Sequence, residues 1–237
     1  MRPVPGFTMP ETLPEGEEKV AAVRSMFDTI APRYDLVNRI MTFRMDVGWR
    51  RRTVRDLRLD PGSTVLDLAC GTGDLCRDLR AAGLQPIGMD LSFGMLAAAK
   101  TEAPLSQGDA LCLPVPDGAV DGVTCGFALR NFESLPPFFA ELARVTRPGG
   151  RIALLEVGEP KSRILRFGHG LYFGKVVPLI GGLLSDGAAY RYLPRSVAYL
   201  PEPDVMLREL ADAGFVAVDR QLLSTGIAQL ITATRGS

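Results

Sequence analysis

The nine residues Leu66-Asp67-Leu68-Ala69-Cys70-Gly71-Thr72-Gly73-Asp74 limit what this chain can fold into more than any other stretch. They continue the apolar run that begins at Thr64, which reads as a buried strand, and they lead into residues 74–82, which read as a helix ended by Gly83. Two glycines at a strand-to-helix junction mark a tight turn where backbone approaches a ligand closely. A second apolar run at 85–90 completes one βαβ unit. The alternation continues with a helix at 92–100, a weak strand at 105–109, a strand at 120–127 and a helix at 134–145. Arg147-Pro148-Gly149-Gly150 reads as a turn before a strand at 151–157. A helix near 204–213 and strands near 215–222 and 227–234 follow. This pattern predicts an α/β, Rossmann-like fold: a mostly parallel sheet covered by helices on both faces.

Around this unit the chain divides into a flexible N-terminus (1–16) and one domain (17–237), with N-terminal helices within 17–59. Val20, Val23, Met26, Phe27 and Ile30 recur at helical spacing until Pro32 ends the run. A further helix is predicted over 46–59, where Arg50, Arg51, Arg52, Arg55 and Arg58 form either a solvated face or a contact for anionic lipid. Residues 161–194 carry glycines, aromatics and apolar side chains without a sustained period. They read as a cover over a substrate pocket, or else as core-packing helices.

Charge excludes one large class of partner. Lys and Arg number 27 and so do Asp and Glu, so no basic excess exists to track nucleic acid. The longest run without a charged residue spans 14 positions, 221–234, against about 20 for a membrane-crossing helix. The N-terminus lacks the apolar core of a secretory signal, so a cytoplasmic protein is expected. Cys70, Cys76, Cys112 and Cys125 form no C-x-x-C pair, and His169 is the only histidine. No metal is expected.

Gly71-Thr72-Gly73 alone would also suit a dinucleotide. Two neighbours argue otherwise: Cys76 stands where a third small residue is expected, and Asp74 sets a carboxylate at the helix N-terminus where a pyrophosphate would sit. Asp67, Asp74 and the strand-end acids Asp90 and Asp109 suit a cofactor that carries a sulfonium and an ammonium but no phosphate. S-adenosylmethionine is such a cofactor. In this reading Asp90 takes the ribose hydroxyls, and Asp109 with the small Ala110 receives the adenine.

Other segments resemble the UbiE/MenG family of quinone-biosynthesis C-methyltransferases. They are Tyr34-Asp35-Leu36-Val37-Asn38 with Trp49, Phe127-Ala128-Leu129-Arg130-Asn131, Arg147 to Arg151, Leu155-Glu156 and Tyr190-Arg191-Tyr192-Leu193. The resemblance runs from about Phe27 onward. It implies a seven-stranded sheet with one antiparallel strand, cofactor contacts at Thr72, Asp90, Asp109 and Ala110, and methylation of a ring carbon in a polyprenylated quinol. Two positions depart from the family pattern. Asp46 stands where some members have histidine, and Gly126 stands where a serine contacts the cofactor.

Carbon methylation of a quinol needs the phenolic proton, with a pKa of about 10, to leave as the ring attacks. Arg130 is assigned to stabilise the phenolate, with Asn131 and Tyr34 orienting it or a water that accepts the proton. Arg130 paired structurally with an acid, and Tyr34 merely packed, are the alternatives. His169 is a further candidate base. Only four of the 27 basic residues are lysine, a bias expected of a GC-rich coding sequence, which leans toward a bacterial menaquinone pathway and hence toward demethylmenaquinol as the substrate. Peripheral contact with the inner face of the cell membrane is expected through 161–194 or the arginine-bearing helix. A soluble small-molecule substrate, or a non-catalytic protein that holds S-adenosylmethionine, remains open. A homodimer is compatible with the sequence but not fixed by it.

Overall fold

The computed structural model describes residues 15–158, 192 and 195–237. Seven strands form one sheet in the order β3-β2-β1-β4-β5-β7-β6: β1 (Thr64–Leu68), β2 (Gln85–Asp90), β3 (Leu105–Gln107), β4 (Val120–Gly126), β5 (Thr146–Val157), β6 (Phe215–Leu223) and β7 (Ala228–Arg235). The pairs among β1 to β5 are parallel, and β7 runs antiparallel to both β5 and β6. The expected single antiparallel strand is therefore β7. Strand order reverses at β1, which pairs with β2 on one side and β4 on the other. Leu68 lies level with both Met89 and Cys125, so the loops leaving β1, β2 and β4 open side by side. In open α/β sheets that crevice is where ligands bind.

Alternation along the strands sorts the core into two layers. Leu66 and Leu68 of β1, Val123 and Cys125 of β4 and Ile152 and Leu154 of β5 pack under α6 (Leu135–Val145), which contributes Phe138, Phe139 and Leu142. Val65, Ala153, Leu155 and Leu230 face the other way, onto Trp49 and Leu57 of α3 (Met45–Leu57) and Leu75 and Leu79 of α4 (Asp74–Ala81). Full burial of one such leucine contributes about 1.5–3 kcal/mol. Asp67 shares the Val65 face by the same period of two, which puts a carboxyl beneath α4.

Several boundaries differ from expectation. The described residues ahead of the sheet form three helices: α1 (Gly16–Ile30), α2 (Tyr34–Met41) and α3, with a 3-10 turn at Ala31–Arg33 between the first two. Pro32 ends α1 as expected, but its fixed φ also suits the turn that starts α2. The helix expected over 92–100 is the shorter α5 (Phe93–Ala97). Arg147 to Gly150 belong to β5 rather than to a separate turn. Val120 pairs with Thr146 and Gly122 with Arg151, so the extra residues bulge out between two ladder positions. The last helix, α7, spans Pro203–Asp212. The expectations for 1–14, for 161–191 and for Leu193 and Pro194, including His169, lie outside the described residues.

Candidate active site

The loop after β1 is built for sharp turning. Ala69, Gly71 and Gly73 all have positive φ (49°, 56° and 79°), and Gly73 is the left-handed residue from which α4 starts. A Cβ on Gly73 would sit 2.5 Å from Thr101 Cγ2. Glycine is thus required there twice, by conformation and by space. Asp90 fixes the loop from the neighbouring strand: its Oδ2 accepts from Gly71 N and its Oδ1 from Ser92 N, both at 2.8 Å. Burial raises the Asp90 pKa, and those backbone donors oppose the rise.

One cavity opens over these strand ends. Its walls include Asp67, Gly71, Thr72, Asp90, Asp109, Ala110, Tyr34 and Asn131. Gly73 does not line it; its contribution is the turn. Arg130 does not line it either. Asp67 is buried and accepts from Thr124 Oγ1 at 2.7 Å and from Cys76 Sγ at 3.2 Å. Burial nevertheless outweighs those bonds and pushes its carboxyl up to about 7. Asp109 accepts from Leu111 N at 2.9 Å, and Ala110 behind it is buried.

The loop is less acidic than its sequence suggested. Asp74 is met by Arg50 at 3.2 Å, by Arg39 at 3.6 Å and by Arg77 in its own helix. Arg50 also bonds Asp46 at 2.5 Å and Asp78 at 3.0 Å, and its side chain is only 11 % exposed. It lines the cavity. Arg50 is therefore not on a solvated face: α3 turns it inward to join three carboxylates. Asp46, the departure from the family pattern, is fully buried, where Thr42 Oγ1 also donates to it at 2.6 Å.

The N-terminal helices form the facing wall. Val20, Val23 and Phe27 of α1 and Tyr34 and Asn38 of α2 line the cavity. Asp28 holds α1 in place by accepting from Ser92 Oγ at 2.6 Å and Gly94 N at 2.8 Å. At the other end of α1, buried Lys19 donates to Phe132 O at 2.6 Å and lies 3.8 Å from the centre of the Tyr199 ring. Desolvation lowers the Lys19 pKa to about 8. Asp35 secures α2 by accepting from Thr72 Oγ1 at 2.5 Å. Tyr34 packs edge-on to Phe27, and burial, partly offset by Arg130, raises its phenol to about 12.

Asn131 Oδ1 is buried with no hydrogen-bond partner among the described residues. An acceptor in that condition on a cavity wall is stabilised by a donor from a ligand or water. Arg130, one residue away, points elsewhere: its guanidinium pairs with buried Glu156 and donates to Ser196 Oγ at 3.1 Å. Gly126 does line the cavity, and a Cβ there would meet only Leu75 Cδ2, at 3.9 Å. Sequence reasoning missed Asp28, Lys19, Arg50 and the role of Asp35. Asp35 alone carried a signal, because it stands inside the Tyr-Asp-x-x-Asn element.

Residues 15–235 match the model of the ubiE/COQ5 methyltransferase family. A demethylmenaquinone methyltransferase of Thermus thermophilus is 44 % identical over 216 residues, covering 86 % of this chain and 97 % of that one. The ubiquinone/menaquinone biosynthesis C-methyltransferase UbiE of Geobacter sulfurreducens is 36 % identical, covering 92 % and 90 %. Among solved structures, phosphoethanolamine N-methyltransferase 2 of Haemonchus contortus with S-adenosyl-L-methionine aligns with a TM-score of 0.60 at 14 % identity, over 80 % of this chain and 53 % of that one. The [4+2]-cyclase SpnF aligns with a TM-score of 0.64 at 17 % identity, over 92 % and 96 %. A fold shared with a cyclase does not by itself name a reaction.

Proposed function

Because this chain belongs to the ubiE/COQ5 methyltransferase family, we propose that it transfers a methyl group from S-adenosylmethionine to a ring carbon of a polyprenylated quinol, with demethylmenaquinol as the substrate. The relatives named for demethylmenaquinone support that head group. One observation carries the reading to this site: the glycine loop and strand-end acids share a single cavity with Tyr34, Asn38 and Asn131, whose Oδ1 has no partner among the described residues.

The residues present fit the cofactor. Asp90 offers its carboxylate to hydroxyls at the end of β2, Asp109 and Ala110 offer an acceptor beside a small side chain, and Asp67 offers a buried carboxylate to a cation. When bound, S-adenosylmethionine supplies an electrophilic methyl group on a sulfonium leaving group. Everything else is the work of the chain. Tyr34, held near 12, keeps its proton at neutral pH, so it donates to the developing phenolate oxygen and does not act as the base. Asn131 Oδ1 accepts from the quinol hydroxyl or from the water that takes its proton. Arg130 works at one remove. Its pair with Glu156 holds the short 3-10 turn Leu129–Asn131 that presents Asn131. This replaces direct contact between Arg130 and the phenolate by positioning. Pre-arranging both reactants in one cavity supplies much of the remaining acceleration.

The test is methyl transfer from labelled S-adenosylmethionine to chemically reduced demethylmenaquinol, beside reduced ubiquinone precursors and a no-lipid control. Menaquinol carrying the labelled methyl group is the expected product. Cofactor binding without product on any quinol would overturn the reading.

A further inference from the structure

We infer that the outer face of α2 docks the protein on an anionic lipid bilayer. The inference rests on the quinol reading above, because a polyprenylated substrate is confined to a membrane, but the surface is identified by its own geometry. Leu36 and Ile40, one helical turn apart on α2, are 56 % and 40 % exposed, and Phe43, 71 % exposed, follows in the turn just past the end of the helix. Phe93, 64 % exposed, opens α5, which packs against the 3-10 turn leading into α2. Singly scattered apolar side chains are ordinary on protein surfaces. Here, however, four of the seven large exposed ones among the described residues fall at this corner.

Charge chooses the occupant. The segment from Ala31 to Met45 contains three arginines, Arg33, Arg39 and Arg44, and a single acid, Asp35. Asp35 is buried against Thr72, while Arg44 is exposed and the Arg39 side chain, 3.6 Å from Asp74, still keeps 40 % of its surface in solvent. The apolar stripe thus has a basic rim, the combination by which an interfacial helix meets anionic headgroups. The arginine-bearing helix α3, the other candidate, is largely committed: Arg50 joins Asp46, Asp74 and Asp78, and Arg52 and Arg55 both bond Asp56.

The two faces of α2 give the docking a purpose. Tyr34 and Asn38 on the inner side line the cavity while Leu36 and Ile40 point out. A helix is about 10–12 Å across, so a headgroup rising beside α2 travels about that distance to reach the cavity wall.

The experiment is flotation of the full chain with phosphatidylcholine vesicles, with and without phosphatidylglycerol, at low and high salt. The wild type is expected to float with the anionic vesicles and to be released as salt rises. The triple variant Leu36→Ser, Ile40→Ser, Phe43→Ser is expected to lose at least about tenfold in partitioning, and Arg44→Glu to weaken it on its own. Circular dichroism and binding of S-adenosylhomocysteine should be unchanged in the triple variant, because none of the three side chains lines the cavity. Equal flotation of triple variant and wild type overturns the inference, and so does a wild type that floats with neither vesicle. A concentration-dependent dimer that the triple variant converts to monomer, without vesicle binding, would give this face to a second copy instead. The substrate reading fails separately: docking that depends on α2 with no methylated quinol leaves the surface standing and removes the substrate.

Discussion

Asp35 and Thr72 lie 37 residues apart in sequence and share a hydrogen bond of 2.5 Å that joins α2 to the glycine loop. Both side chains are buried, so the wall that carries Tyr34 and Asn38 is fastened to a side chain of the loop that lines the cavity. Thr72→Val should leave the Asp35 acceptor without its donor, costing about 1–3 kcal/mol. Calorimetry with S-adenosylhomocysteine and a thermal melt check this. Wild-type affinity together with a wild-type melt would show that the latch has no weight.

Under the proposed function, the raised pKa of Asp67 predicts a pH signature for cofactor binding. A cation favours the carboxylate, so affinity for S-adenosylmethionine should climb as pH rises through about 7 and level off above it. In the cofactor-free protein the same shift acts in the opposite sense. The folded state holds this proton more tightly than the unfolded chain, so stability falls as pH rises from about 4 to about 7. Asp67→Asn should bind more weakly and lose the pH dependence of binding. A titration across that range, in wild type and variant, decides it.

Gly126→Ser should tighten cofactor binding. The new Cβ fits, since nothing lies closer than 3.9 Å, and the hydroxyl enters the cavity at the end of β4. One added hydrogen bond contributes about 0.5–1.5 kcal/mol, a gain visible in the dissociation constant. Unchanged or weaker binding would mean that backbone groups already satisfy the ligand there.

Glu156→Gln should destabilise the fold by about 3–5 kcal/mol, because Arg130 would keep its charge in the interior without a counter-ion. The melt should fall sharply. Quinol turnover should suffer more than affinity for S-adenosylhomocysteine, since the pair supports the turn that presents Asn131 and does not line the cavity.

Local patterns made the sheet legible. Apolar runs such as Thr64 to Leu68, glycines at their ends and helical periods between them sufficed to place β1, β2, β4, β6 and β7 within a residue or two. The acids at 67, 90 and 109 were legible too, because strand ends converge at the switch point. What escaped were long-range partners. Nothing near Arg50 in sequence announces Asp74 and Asp78, and among five arginines on one helix it is the inward orientation that distinguishes it. The Arg130–Glu156 pair was readable only as an alternative, since its partners stand 26 residues apart on different elements. α2 went unread as a separate helix because Pro32 reads as a stop and no capping side chain marks a new start at Tyr34.

The position of β7 has a consequence for how the protein is made. Of the seven strands in this sheet it is the last to be synthesised, yet it lies between β5 and β6. Until Ala228–Arg235 has left the ribosome, β5 presents an open edge and β6 has no neighbour to pair with. Such an edge is a template for pairing with another chain. The nascent protein therefore passes through a stage, after most of its core can collapse, in which that edge is open to pairing with another chain.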